Sequence, residues 1–378
     1  MTGRFPRDRD LPAQTLRPDW THPLAIPPSY QTVISPHDDG LLSSVTSAPS
    51  QDLTTLNKSP HSSLATAGIG QFGMEDMTLW HQFITATAAT LTSSWMKEIP
   101  LQALNCEYLL HGILACAALH LAYLDPDQRD RCNYLSAHHQ DLAMQPFRQV
   151  ISNITPENSN QVFAFSILLI VFNFASLRSP EYLLPCSTAT AYKGLSNWIV
   201  CLRGCSSIFQ QARAHIMSGP LGFIFTREDW ATTLTGPLTG IPSSKDDESL
   251  QYLADHLFSL PYIKSSTTVE ALEAYTDAIF RLRKLLSASS QTNDLVSRRS
   301  MSSAWPAIVS DAFIWLLNEH RAPALLIMGH YCLLLKKCEA CWYMEHRAYD
   351  LFAAVRQSLA EEWFPYLEHP LQVFKERS

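Results

Sequence analysis

The sequence predicts an all-α protein: a multi-helix orthogonal or superhelical bundle preceded by a disordered N-terminal tail. Three observations predict it. Residues 104–124, LNCEYLLHGILACAALHLAYL, are apolar nearly all round, the pattern of a buried helix. Further apolar positions recur at helical spacing, as in Val269, Leu272, Tyr275, Ile279, Leu282 and Leu286. No stretch shows the strict alternation of a half-buried strand, and no repeat of fixed period is present.

Size and composition bound the rest. The chain has 378 residues, of which 46% are apolar and 17% charged, enough for a large core in one or two domains. Net charge is −7, which gives the whole chain no general attraction to nucleic acid. The N-terminus MTGRFPRDRDLP has no apolar h-region of a secretory signal. Nine cysteines, an odd number scattered through apolar stretches, fit free buried thiols in a reducing compartment. The longest apolar run, Val162–Leu177, is short for a membrane span of roughly 20 residues and is interrupted by Asn173. It reads as a core helix.

Residues 1–74 are rich in Ser, Thr and Pro, hold nine of the 23 prolines, and read as disordered. Arg4, Arg7, Arg9 and Arg17 make a short basic arm there, but Asp8, Asp10 and Asp19 interleave with them, as in a solvated tail. From Glu75 to residue 372 the pattern is helical. Acidic residues open the first helix, as the helix dipole favours. The helix at 104–124 carries Gly112, Ala115, Ala118 and Ala122 on one face, where another backbone can come close. Asp125-Pro126-Asp127 breaks it, and Asp127 is the expected cap of a helix to about residue 151, kinked at Pro146. Helices are expected over Asn158–Ser176 and over Ser187–Ser218, the latter stopped by Gly219-Pro220. Residues 226–263 read as mixed, with a turn at Lys245-Asp246-Asp247. After the helical pattern of 267–286, residues 287–303 read as a flexible serine-rich internal loop, with Arg298-Arg299-Ser300 as a basophilic kinase motif or a plain solvated run. Three closing helices are expected at about 305–320, 323–341 and 342–360, followed by a tail with aromatic anchors.

Chemistry is sparse. Gly68-Ile69-Gly70-Gln71-Phe72-Gly73 matches G-x-G-x-x-G, but no strand precedes it, so a flexible joint is the expectation and no cofactor is implied. The pairs Cys201/Cys205, Cys338/Cys341 and Cys116/His120 share helix faces, yet each sits in apolar sequence where cysteine acts as a small hydrophobe. His111 and His120 are nine positions apart, facing opposite ways, and cannot share a metal. His138 and His139 point about 100° apart and suit a surface or interhelical polar role. No G-x-S-x-G, H-E-x-x-H or P-loop is present, so no catalytic or metal residue is expected and the chain does not read as an enzyme. The aromatic content suits a solid core, which periodicity favours, or an apolar ligand cavity. Such a pocket would lie between the 104–124 helix and those carrying Phe174, Trp198 and Trp315, with Arg203 nearby as a structural cation or an ordinary capping arginine.

Several stretches, in order, resemble one family. They are Asp76–Phe83 (DMTLWHQF), Trp95–Pro100, LLHGILACAALHLAYL, Trp198–Gly204 (WIVCLRG), Pro323–Leu326, Tyr331–Leu335, Cys341-Trp342-Tyr343, Trp363 and His369-Pro370. Spread over about residues 75–372, they resemble the helical regulatory domain of fungal zinc-cluster transcription factors, in particular the sterol uptake control protein branch. The resemblance implies a nuclear regulator that can shuttle from the cytoplasm, with transcription factors or co-regulators as partners; the sequence leaves the oligomeric state open, a homodimer among the options. In the sterol branch it further implies an apolar small-molecule ligand, and in other fungal relatives a place among secondary-metabolite genes. The family's DNA-binding module needs six cysteines near the N-terminus. Here the first cysteine is Cys106, and Cys338/Cys341 has no second pair at the required distance. The resemblance therefore implies DNA contact through a partner, or through a zinc-cluster exon upstream of Met1. The alternative class is a sterol- or lipid-binding protein without a transcriptional role.

Overall fold

Two long buried helices each gather a half of the protein around them. The computed structural model describes residues 72–91, 95, 97–176, 183–184, 196–222, 244–257 and 268–375. The expected disordered tail, apart from its last residues, lies outside these, as does most of the mixed region 226–263. In chain order the α-helices are α1 (Met74–Gln82), α2 (Ala88–Leu91), α3 (Glu98–Ala103), α4 (Glu107–Leu124), α5 (Arg129–Ile151), α6 (Ser159–Ser176) and α7 (Asn197–Ser218). They continue with α8 (Lys245–Leu257), α9 (Val269–Gln291), α10 (Leu295–Ile308), α11 (Asp311–Asn318), α12 (Ala322–Lys336), α13 (Arg347–Gln357) and α14 (Glu368–Lys375). No strand occurs among the described residues, in keeping with the all-α reading.

In the first half α4 is central, touched by α1, α3, α5 and α6. Its small-residue face works as expected: Gly112 lies so close to the Phe165 ring that a Cβ there would sit 2.7 Å from it. In the second half α12 is central, flanked by α9, α10, α11, α13 and α14. The halves meet where α7 packs on α10 and where the 3-10 turn Trp342–Met344 packs on α4 and α6. By length and composition α4 and α6 could cross a membrane, but 72% and 56% of those windows are buried inside the fold, so they are core helices.

Four local expectations are corrected. The serine-rich stretch 287–303 is not a loop. α9 runs on to Gln291, and α10 begins at Leu295 with Asp294 as N-cap, accepting from Ser297 N–H at 2.9 Å. Its serines are tolerated because their hydroxyls donate back to carbonyls of the previous turn, Ser289 and Ser290 to Leu286, Ser300 to Val296 and Ser302 to Arg299. Lys245-Asp246-Asp247 is the first turn of α8, not a free turn. Ser244 Oγ accepts from Asp247 N–H at 3.2 Å, and acidic residues suit a helix N-terminus. The expected helix 305–320 is two. α10 ends at Ile308, and Ser310 caps α11 by accepting from Phe313 N–H at 3.1 Å. Finally, Asp125 rather than Asp127 is the side-chain cap after α4: its carboxylate accepts from Asp127 N–H at 3.1 Å, and α5 runs unbroken through Pro146.

Candidate functional site

The aromatic residues singled out from sequence fall in two environments. Phe174 on α6 and Trp198 on α7 are buried, with ring centroids 5.6 Å apart. Trp198 stacks on Tyr331 of α12 (6.2 Å, 8°), and Tyr331 on Trp305 of α10 (4.8 Å, 21°). Trp305 meets Phe313 of α11 edge-on at 5.4 Å. The result is an aromatic column crossing both halves of the protein. Trp315 is not part of it. Two positions after Phe313 it points about 200° round α11, and it is 49% exposed. Trp305 takes the place expected of Trp315. The signal for it was weak because Trp305 lay at the edge of a presumed loop.

Each polar tip in the column has a partner, as buried Trp and Tyr require. Trp198 Nε1 donates to Leu183 O (2.9 Å), Trp305 Nε1 to Ala278 O (3.0 Å), and Tyr331 OH to Ser302 O (2.9 Å). Arg203, one turn beyond Trp198, is a capping arginine. Its guanidinium donates to the carbonyls of Pro306 (3.2 Å) and Val309 (2.9 Å) where α10 ends, and pairs with Asp311. It clamps α7 onto the α10–α11 corner. Among the described residues, an open depression lies elsewhere, on the outer face of α9, lined by Leu272, Glu273, Thr276, Asp277 and Phe280.

The described cysteines singled out from the sequence, and His111, His120 and His139, pack or bond within the helical core. Cys201 and Cys205 face α6: Asn173 Nδ2 donates to Cys201 Sγ and Ser166 Oγ to Cys205 Sγ, each at 3.2 Å. The order of the two pairs reverses between helices, so α6 and α7 run antiparallel. Burial pushes both thiols, and Cys116, up to about 12, which leaves them unreactive at neutral pH. Among the described residues no group of three or more His, Cys, Asp or Glu is placed to hold a metal.

His111 and His120 do face opposite ways. His111 Nδ1 and His139 Nδ1 are hydrogen-bonded at 3.1 Å, and Asp76 Oδ1 stands 3.1 Å from His139 Nε2, at ion-pair distance without hydrogen-bond alignment. Desolvation lowers both histidine pKa values. Asp76 also accepts from Gly73 N–H at 2.7 Å, so one carboxylate both caps α1 and fastens it to α4 and α5. On the other face His120 bonds Thr87 Oγ1 (2.9 Å) and stacks on Trp342 (4.8 Å). A π-helical turn, Phe83–Thr87, presents that threonine. Next to it Arg299 donates to the carbonyls of Thr90 and Leu91 and to Tyr343 OH. The Arg298-Arg299-Ser300 run is thus part of the seam between the halves, in helix, rather than an exposed kinase motif.

The described helices form an all-α domain built around a buried aromatic column. The chain belongs to a family of fungal regulators: residues 81–304 match the fungal specific transcription factor domain. It is similar to the Zn(2)-C6 fungal-type transcription factor afumD of Aspergillus fumigatus, 27% identical over 68% of this chain and 66% of that one. It is similar to a Zn(2)-C6 fungal-type transcription factor of Gibberella zeae, 23% identical over 79% of this chain and 62% of the relative. Sterol uptake control protein 2 of Candida albicans is 27% identical over 41% of this chain and 22% of its own length. The chain thus spans about two thirds of the length of the first two relatives and a smaller part of the third.

Proposed function

We propose that this chain is a transcriptional regulator or co-regulator that works in the nucleus through protein contacts. The observation that carries this reading is the family match over residues 81–304, joined to two relatives named as transcription factors that align along most of the chain. The target genes proposed are those of a secondary-metabolite cluster or of sterol and lipid supply. The second of these draws on the sterol uptake control protein likeness.

An apolar ligand is the finer part of the proposal. Phe174 and Trp198 already pack against each other and Tyr331, so a sterol-sized molecule enters only by displacing rings of the column. The alternative reading makes the chain a lipid carrier without a transcriptional role. The test is a fusion of the full chain to an unrelated DNA-binding domain, with a reporter downstream. Regulation of that reporter, up or down, with nuclear accumulation of the unfused chain, is expected. A silent reporter and a cytosolic chain carrying a stoichiometric lipid by native mass spectrometry would sink the regulatory reading in favour of the carrier.

A further inference from the structure

Helix α8 is held in an unusual way. Among its described residues only Leu250 and Leu253 are buried hydrophobics, against thirteen buried residues in α12. Beside these, Tyr252 meets Tyr366 at 6.5 Å and Ala254 packs on the core, and much of the remaining attachment is polar. Asp246 faces His369 Nε2 (2.9 Å) and Lys337 Nζ (3.1 Å). Asp247 takes Arg283 in a two-pronged pair at 2.7 and 3.1 Å, and Arg283 also donates to Gln251. Ser249 bonds His330 at 3.0 Å. His330 Nδ1 must donate to Leu326 O (3.0 Å), because a carbonyl only accepts, so its Nε2 accepts the Ser249 hydroxyl.

Seen from beneath α8, the receiving surface is a groove of α9, α12 and α14. It presents Arg283, Lys337 and His369 to the acidic first turn, the neutral His330 ring to Ser249, and the hydrophobic core to Leu250 and Leu253. That is a basic rim over an apolar floor. Its complement is a helix with an acidic first turn and apolar residues one turn further on, as in Ser244-Lys245-Asp246-Asp247-Glu248-Ser249-Leu250 with Leu253. We propose that this groove is a docking site for acidic amphipathic helices, occupied in cis by α8, which leaves as a unit to admit a like helix from a partner protein. The mode is helix-in-groove recognition with charge setting orientation. It stands on these contacts alone and holds whether or not the transcriptional proposal does.

The probe is a fluorescein-labelled synthetic peptide of residues 244–257, read by anisotropy against the full chain. In the chain variant Leu250→Ser/Leu253→Ser the cis helix is released, and the peptide is expected to bind at least tenfold tighter than to the unaltered chain. Arg283→Glu on that background should abolish binding, and so should Asp246→Lys/Asp247→Lys in the peptide. Equal binding to released and unaltered chains, or binding that survives Arg283→Glu, overturns the proposal. Hydrogen exchange of the unaltered chain gives an independent reading should the double variant not fold. Amides of α8 are expected to exchange at least tenfold faster than those of α12, by local opening. Exchange of α8 only with global unfolding makes it a fixed part of the core and overturns the proposal equally.

Discussion

α4 and α12 bury the same number of residues, thirteen each, out of 18 and 15, yet they organise their halves by opposite means. α4 does it with smallness: Gly112, Ala115, Ala117, Ala118 and Ala122 let α5 and α6 come in close. α12 does it with bulk: its leucines, Met328 and Tyr331 reach out to a ring of surrounding helices. A small-residue face fixes helix positions through backbone proximity, whereas a bulky one fixes them through side-chain shape. The first half should therefore resist added volume and the second should resist lost volume.

The largest expected effect is a loss of volume around α12. Trp305→Ala removes the ring between Tyr331 and Phe313 together with its bond to Ala278 O, at a cost of about 3–5 kcal/mol. Trp315→Ala, on the exposed side of α11, should stay within about 0.5 kcal/mol. Urea unfolding of the two variants makes the comparison. Equal costs would mean that the column does not run through Trp305 and that the account of the α12 half is wrong.

That pair also marks how far the sequence was legible. Period and apolarity suffice for α4, α6 and α12, because helices buried all round carry the same signal at every position. They suffice for Phe174 and Trp198 as well. They fail where serines or charges dominate, at 287–303 and at 245–247, because helix formation there rests on caps and back-bonded hydroxyls such as Ser289 and Ser302. These signals weigh little against composition. The loop reading at 287–303 then hid Arg299, and with it the seam, and left Trp305 at the very start of an expected helix. The polar partners of α8 come from positions 32 to 123 residues away, and no local pattern announces such pairs.

Acid should strain the α12 half through one residue. Burial lowers His330 from 6.5 to about 4. Its folded state takes up a proton less readily than the unfolded chain, so stability is fully present above about pH 6.5 and falls as pH drops from there toward 4. By pH 5 the loss is on the order of 2 kcal/mol. His330→Gln should cost stability at pH 7 through the Ser249 bond, yet lose less between pH 7 and pH 5 than the unaltered protein. Parallel pH profiles for the two would remove His330 as the origin. In the α4 half His139 has Asp76 beside it, whose carboxylate favours the imidazolium, so Asp76→Asn should steepen the acid loss there.

The finest test adds one methyl to each post. At Gly112 a Cβ meets Phe165 Cδ2 and Cε2 at 2.7 Å and Leu168 Cδ1 at 3.2 Å. Phe165 has nowhere to go, wedged edge-on to Tyr108 at 5.5 Å and against Phe147 at 4.5 Å. At Gly329 the Cβ meets Leu367 Cδ2 at 2.8 Å, the far end of a side chain that can turn about its own bonds. Each substitution gains about 1 kcal/mol of helix propensity. Overpacking costs about 1–3 kcal/mol where neighbours are fixed. Gly112→Ala should therefore destabilise by about 1–2 kcal/mol, and Gly329→Ala should fall near zero by the same unfolding measurement. The reverse order would show that α4 tolerates added volume better than α12, and the contrast between smallness and bulk would have to be given up.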